Sequence, residues 1–273
     1  MITLCEAALD VLNSADAREK CIKTRSYATQ WRAGEITKIG SGAGIKDRPA
    51  RPEKPELRLA SEMPKRGKAG TQKNKIALMH ALAHIELNAI DLAWDVIARP
   101  FDLADFTLPK EFYDDWVKVA DDEAKHHMML EERLNEMDAS YGDLPAHDGL
   151  WEASQATAHD FPARLAIVPM VLEARGLDVT PGMIEMMKAQ GDDKSAEMFQ
   201  IIHDDEITHV RAGTVWFEAW CKHNGKDIEE HWQHLVRTYF NGPLKRPFNH
   251  PSREEAGMIR DWYEPLAESL KEA

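Results

Sequence analysis

Cysteine is scarce in this chain. Cys5, Cys21 and Cys221 share no Cys-x-x-Cys spacing and are odd in number, in 273 residues. A disulfide framework and a zinc ribbon are therefore excluded, and a reducing compartment fits. No run approaches eighteen uninterrupted apolar residues. The start, Met1 to Asp10, has no basic segment followed by a long apolar one. Neither a membrane helix nor a signal peptide is expected, and the expected location is the cytoplasm. Alternating strand patterns with hairpin turns are missing, as is a glycine-rich phosphate loop, which disfavours the α/β nucleotide-binding folds.

What is present is ordinary for a globular protein: 43% hydrophobic and 30% charged residues, with 47 acids against 34 Lys and Arg for a net charge of −13. The length allows one large domain or two small ones, with enough core to need no staple. The charge is unevenly divided. From Arg18 to Lys75 sixteen basic residues face six acids, a local +10 that leaves −23 for the rest. Such a segment can follow a polyanion such as RNA. The reading preferred here is a basic arm lying across its own acidic body.

The first seventy residues read as an arm. Helices are expected over 3–12 and 15–33, with Ser14 or Asp16 capping the second. Gly40, Gly42 and Gly44, then Pro49, Pro52, Pro55 and Pro64, follow with few large apolar residues between them, a composition that favours an extended course. From Gln72 onward the period becomes helical. Residues 72–99 and 109–137 run without an internal breaker, and 192–222 is interrupted by Gly213 alone. A fourth helix over 148–176 is expected to kink at Pro162 and Pro169. A shorter helix is expected next, with Thr180 as N-cap, Pro181 in first position and Gly191 as the stop. Near the C-terminus Ser252 and Glu255 form a capping-box pattern ahead of an apolar stripe of Ile259, Tyr263, Leu266 and Leu270.

Glu86 interrupts an apolar stripe. Its same-face neighbours are Met79, Leu82, Ala83, Ala89, Ile90 and Ala93. A carboxylate pointing into a core needs a cation, a proton or hydrogen bonds. Glu123 repeats the situation among Trp116, Val119, Ala120 and Leu130, with His126 three residues on and so beside it on the helix. The string Asp121-Asp122-Glu123-Ala124-Lys125-His126 returns as Asp204-Asp205-Glu206-Ile207-Thr208-His209, and Glu173 stands among Ala166, Pro169, Met170 and Leu177. The order is a lone Glu, a Glu-x-x-His, a lone Glu, a Glu-x-x-His. Glu86 precedes Glu123 by 37 residues and Glu173 precedes Glu206 by 33, about one helix, a turn and part of the next. On an antiparallel bundle these spacings bring four segments to one level, and this donor set is that of ferritin-like di-iron and di-manganese proteins. One Glu-x-x-His arises easily by chance. Two, each following a lone acid on an apolar face, do not; the alternative is a set of buried ion pairs without metal.

The stretches from His80 to Asp91 and from Val168 to Asp178, with the paired Asp-Asp-Glu-x-x-His strings and the basic arm, resemble an uncharacterised, mainly bacterial family of ferritin-like proteins known only as a domain of unknown function. The resemblance covers most of the chain. It implies the four-helix ferritin-like fold, and with the helical periods above the expectation is an all-α chain: an antiparallel bundle over 72–222, an N-terminal arm over 1–71 packing on it, and C-terminal helices over 223–273 docking on it. It also implies a di-metal site at Glu86, Glu123, His126, Glu173, Glu206 and His209, and no reaction.

Asp122 and Asp205, four residues before the ligand histidines, can orient an imidazole or be solvated acids. His80 and His84 share a face with each other and not with Glu86, which suits core or surface histidines. His127 and His203 read as packing residues before site donors, His231 and His234 as a polar turn before a second metal site, and Trp116 as core before electron relay. Carboxylates with imidazoles suit two ions of iron or of manganese. The leading functional expectation is an oxygen-activating oxidoreductase, a hydroxylase for instance, acting with dioxygen and an electron donor on a small organic substrate. An RNA substrate is an analogy resting on the basic arm. The alternatives are a ferroxidase or iron-handling protein and a metal-stabilised interaction module.

Overall fold

A computed structural model describes residues 2–64, 70–103 and 105–267. Helices dominate, and the β-pairing among the described residues is limited to isolated bridges, Leu57 with Ala146 and Leu244 with Ala267. The class is all-α, as the sequence predicts. The chain divides into two compact units, Met1–Pro100 with Pro109–Glu152, and Phe101–Leu108 with Ala153–Ala273.

In the first unit α1 (Leu4–Leu12) begins with a capping box in which the Glu6 N–H donates to Thr3 Oγ1 and the Thr3 N–H donates to Glu6. Asp16, one of the two expected caps, starts α2 (Ala17–Arg32) by accepting from Glu19 N–H at 2.8 Å. The Ser14 hydroxyl donates instead to the Asp10 carbonyl. After α2 the chain runs mostly extended and returns over its neighbours: Leu4 and Cys5 N–H donate to Lys38 and Ile39, and Ala50 N–H donates to Leu12. Gly42 is required here. A Cβ at that position would lie 1.5 Å from the Ala98 carbonyl oxygen.

The long helices α3 (Gln72–Ala98) and α4 (Lys110–Asn135) form an antiparallel pair. Contacts joining Gln72 to Met137, Ala83 to His127 and Glu86 to His126 fix its register. The apolar sides of α1 and α2 cover it, α1 chiefly on α3 and α2 on α4. α3 is long and apolar enough to cross a membrane, and 67% of its most apolar window is buried inside the protein.

The second unit departs from the expected helix plan in three places. The helix expected over 148–176 is not one kinked element. It comprises α5 (Gly149–Ala156), which straddles the unit boundary, then α6 (Phe161–Ile167), capped by Asp160, and a π-helical segment over Val168–Glu173. The π segment runs directly into α7 (Ala174–Ala189), so Thr180 caps nothing and Pro181 lies in a helix interior. Pro181 lacks the N–H that would reach the Leu177 carbonyl, and Asn249 Nδ2 supplies a donor to that oxygen at 3.1 Å. Gly191 does end the element, with φ +70°.

α8 (Asp193–His223) follows a tight turn, then α9 (Ile228–Tyr239), α10 (His250–Glu255) and α11 (Arg260–Tyr263). The expected Ser252 cap is displaced by Asn249, whose side chain accepts from Ser252 N–H. The helix does not run on into the expected stripe: α10 ends ahead of Gly257, where φ is +87°, and Ile259 stands just before α11. Leu270 lies outside the described residues.

Candidate metal centre

In the first unit α3 and α4 bring three of the predicted donors together. Glu86, Glu123 and His126 each offer a ligand atom within 4.8 Å of the others, and all three side chains are buried. His126 Nδ1 is 3.5 Å from Glu86 Oε2 and 3.5 Å from Glu123 Oε2. The helical offset of three residues puts His126 beside Glu123, and the antiparallel register brings Glu86 across to both. Burial, then the neighbouring Glu123 charge, pushes the Glu86 carboxyl well above the ordinary carboxylate range. Glu86 Oε2 is buried and accepts no hydrogen bond among the described residues. Two buried carboxylates and an imidazole nitrogen converging in this way suit a hard divalent cation, which would hold Glu86 in its charged form beside Glu123.

In the second unit α8 places His209 Nδ1 3.6 Å from Glu206 Oε2, both residues buried. Glu173 closes the π segment and is half-buried. Asp122 forms ion pairs with Lys118 at 2.6 Å and Lys125 at 3.2 Å along α4, and Asp205 is half-buried, its carbonyl accepting from the Thr208 hydroxyl.

The other histidines weighed above, His234 apart, fall where packing uses them. His80 Nε2 accepts from the Gly142 and Leu144 N–H groups, so this nitrogen is unprotonated and holds the 139–148 loop. His84 Nδ1 meets Tyr141 Oη at 2.8 Å and its Nε2 meets the His147 carbonyl. Burial pushes its pKa down to about 3. His127 donates from Nδ1 to the Ala83 carbonyl and is pushed down to about 4, again by burial first. His203 faces the Ser252 hydroxyl. His231 stacks on Trp220 and Phe217, His234 is exposed, and no converging ligand group includes either among the described residues. Trp116 is a core residue packed against Phe112.

The family described as "Protein of unknown function (DUF455)" matches residues 13–264. The chain belongs to this family. A relative from Haemophilus influenzae, named only as an uncharacterized protein, is 40% identical over 225 residues, which is 81% of this chain and 78% of that one. No solved structure matches.

For this DUF455 protein the sequence gives little sign of one buried network. Lys20 of α2 is ion-paired with Asp91 of α3, both fully buried, and Arg51 approaches the same carboxylate at 3.2 Å. Arg51 also donates to Asn88 Oδ1 at 2.6 Å. The partners are 71, 40 and 37 residues apart, beyond any helical spacing that a sequence pattern reveals. Other cations of the basic segment also meet acids of their own unit: Lys23 with Asp10, Arg25 and Arg32 with Asp121, Arg48 with Asp148, and Arg58 with Glu56. Lys65, Arg66 and Lys68, its most basic cluster, lie outside the described residues. The three cysteines are buried, and burial pushes the thiols of Cys21 and Cys221 up to about 12, far from the reactive thiolate range.

Proposed function

We propose that this protein is a ferritin-like di-iron or di-manganese carboxylate protein that activates dioxygen to oxidise a small organic substrate. The observation that carries the reading is the buried convergence of Glu86, Glu123 and His126. The second Glu-x-x-His pair, Glu206 with His209, and the lone Glu173 repeat the same donor types on α8 and the π segment. Counted along the sequence, four such carboxylates match the charge of two divalent ions, and two imidazoles leave coordination positions open for other ligands.

Iron or manganese held there would supply electrons to dioxygen and Lewis acidity. The chain's own contribution is geometric and electrostatic. α3 and α4 hold His126 and the carboxylates in a dry, apolar setting, where the ligand charges act at full strength. Apolar neighbours such as Met79, Ala83, Val119 and Ala120 keep competing water away from the first three donors.

Elemental analysis after anaerobic reconstitution tests the reading. About two iron or manganese ions per chain are expected from the donor set, with loss in Glu123→Ala and in Glu206→Ala. A protein that retains no transition metal overturns the proposal. Aerobic titration with excess Fe(II) then separates substrate oxidation from iron handling. Stoichiometric iron oxidation fits the oxygen-activating role, whereas many turnovers with mineral formation would reassign the protein as a ferroxidase.

A further inference from the structure

We propose that Pro169 and Gly213 form a matched notch that sets the position of Glu173, which makes both of them positioning residues for a metal-binding carboxylate. The inference rests on the metal-centre reading above. Between Val168 and Glu173 the helix changes character, and the Ala174 N–H reaches back five residues to the Pro169 carbonyl. Proline is the local reason. It has no N–H for the Leu165 carbonyl, and its ring crowds that oxygen, so a wider turn relieves the clash. A π turn holds one residue more than an α turn, so the side chains after it are rotated by about 100° from an uninterrupted α-helix. Glu173 is the residue on which this extra turn closes.

The wide turn is seated on α8. A Cβ added to the buried Gly213 would lie 2.5 Å from Pro169 Cγ and 2.6 Å from Pro169 Cβ, so a larger residue would force the two helices apart. Pro169 is twenty residues before the end of α7, and Gly213 is twenty residues after the start of α8, which makes them level in the hairpin. One turn closer to the connecting loop stand Glu173 on one side and His209 on the other. The notch therefore fixes both the rotation and the level of Glu173 relative to the Glu206 and His209 pair. Other glycines of this hairpin have no such duty: Gly176 and Gly182 have nothing within 4 Å of an added Cβ.

Cobalt(II) binding to the full chain tests the proposal, read by visible absorption and by elemental analysis, with thermal melting of the metal-free protein alongside. Pro169→Ala restores the N–H and lets the turn relax to α. The metal-free variant should melt at or above the wild-type temperature while its cobalt affinity falls by about ten- to a hundredfold. Gly213→Ala should show the same loss of affinity, and Gly182→Ala should bind as wild type does. Undiminished cobalt affinity in Pro169→Ala or Gly213→Ala overturns the notch. A wild-type protein that takes up no cobalt overturns the metal-centre reading and the notch together, so the two failures are distinct.

Discussion

Glu86 shows what a single residue can reveal and what it costs. Its apolar neighbours mark it in the sequence as a charge pointing inward, and the structure buries it beside Glu123 with its carboxyl pushed well above the usual range. Folding without metal makes Glu86 take up a proton that the unfolded chain does not hold near neutral pH, and an amide of the same shape avoids that cost, so the metal-free Glu86→Gln protein should be more stable by about 1–3 kcal/mol. A higher urea midpoint at unchanged slope would show the gain, and the same variant should fail to hold metal. His80 illustrates the opposite case, a residue whose role its sequence position does not show. Its Nε2 can accept from Gly142 and Leu144 only while neutral, and burial holds its pKa below the ordinary value of 6.5. The folded form therefore resists a proton that the unfolded chain takes up. Stability from this group is complete above about pH 6.5 and is lost as pH falls below it, at up to about 1.4 kcal/mol per pH unit. Urea midpoints at pH 7 and pH 5 should show the loss, and in His80→Gln the difference should shrink while stability at pH 7 drops.

At the scale of elements, uninterrupted periodicity proved reliable and proline proved ambiguous. α3, α4 and α8 begin and end within two residues of where apolar spacing and breakers place them. Pro181 was misleading because its usual place, the first turn of a helix, and its actual place, an interior, look alike locally. What distinguishes them is a donor 72 residues away, Asn249 Nδ2 on the Leu177 carbonyl. Asn249 also caps α10 through Ser252 N–H and donates to the Ser252 hydroxyl. Losing an N-cap costs about 1 kcal/mol, and leaving a buried carbonyl without a donor adds about 1–3 kcal/mol. Asn249→Ala should thus destabilise the protein by about 2–4 kcal/mol, more than a cap alone explains. Pro181→Ala supplies the missing N–H, so in that background Asn249→Ala should cost only about the cap. A double-mutant cycle on urea midpoints measures this coupling.

For the whole molecule the question is where the charge of −13 resides. Its uneven division was readable from composition, but the destination of the basic residues was not. Pairs such as Lys20 with Asp91 and Arg32 with Asp121 join residues 71 and 89 positions apart, which only folding brings together. The acids of the proposed centre change the total further. Two divalent ions would add four positive charges, moving −13 to −9 if every ligand carboxylate were already ionised. Glu86 is not so placed: burial and the Glu123 charge keep a proton on it above the ordinary carboxylate range. Metal must displace that proton to take the carboxylate, so uptake is coupled to proton release. Titrating the metal-free protein with Mn(II) in weakly buffered solution at pH 6 should liberate about one proton per chain, with apparent affinity rising as pH is raised. In Glu123→Gln, where the repulsion that raises Glu86 is removed, the residual binding should release less. Uptake with no proton release would show that Glu86 is already ionised in the metal-free fold, and that some other group in the protein balances its charge.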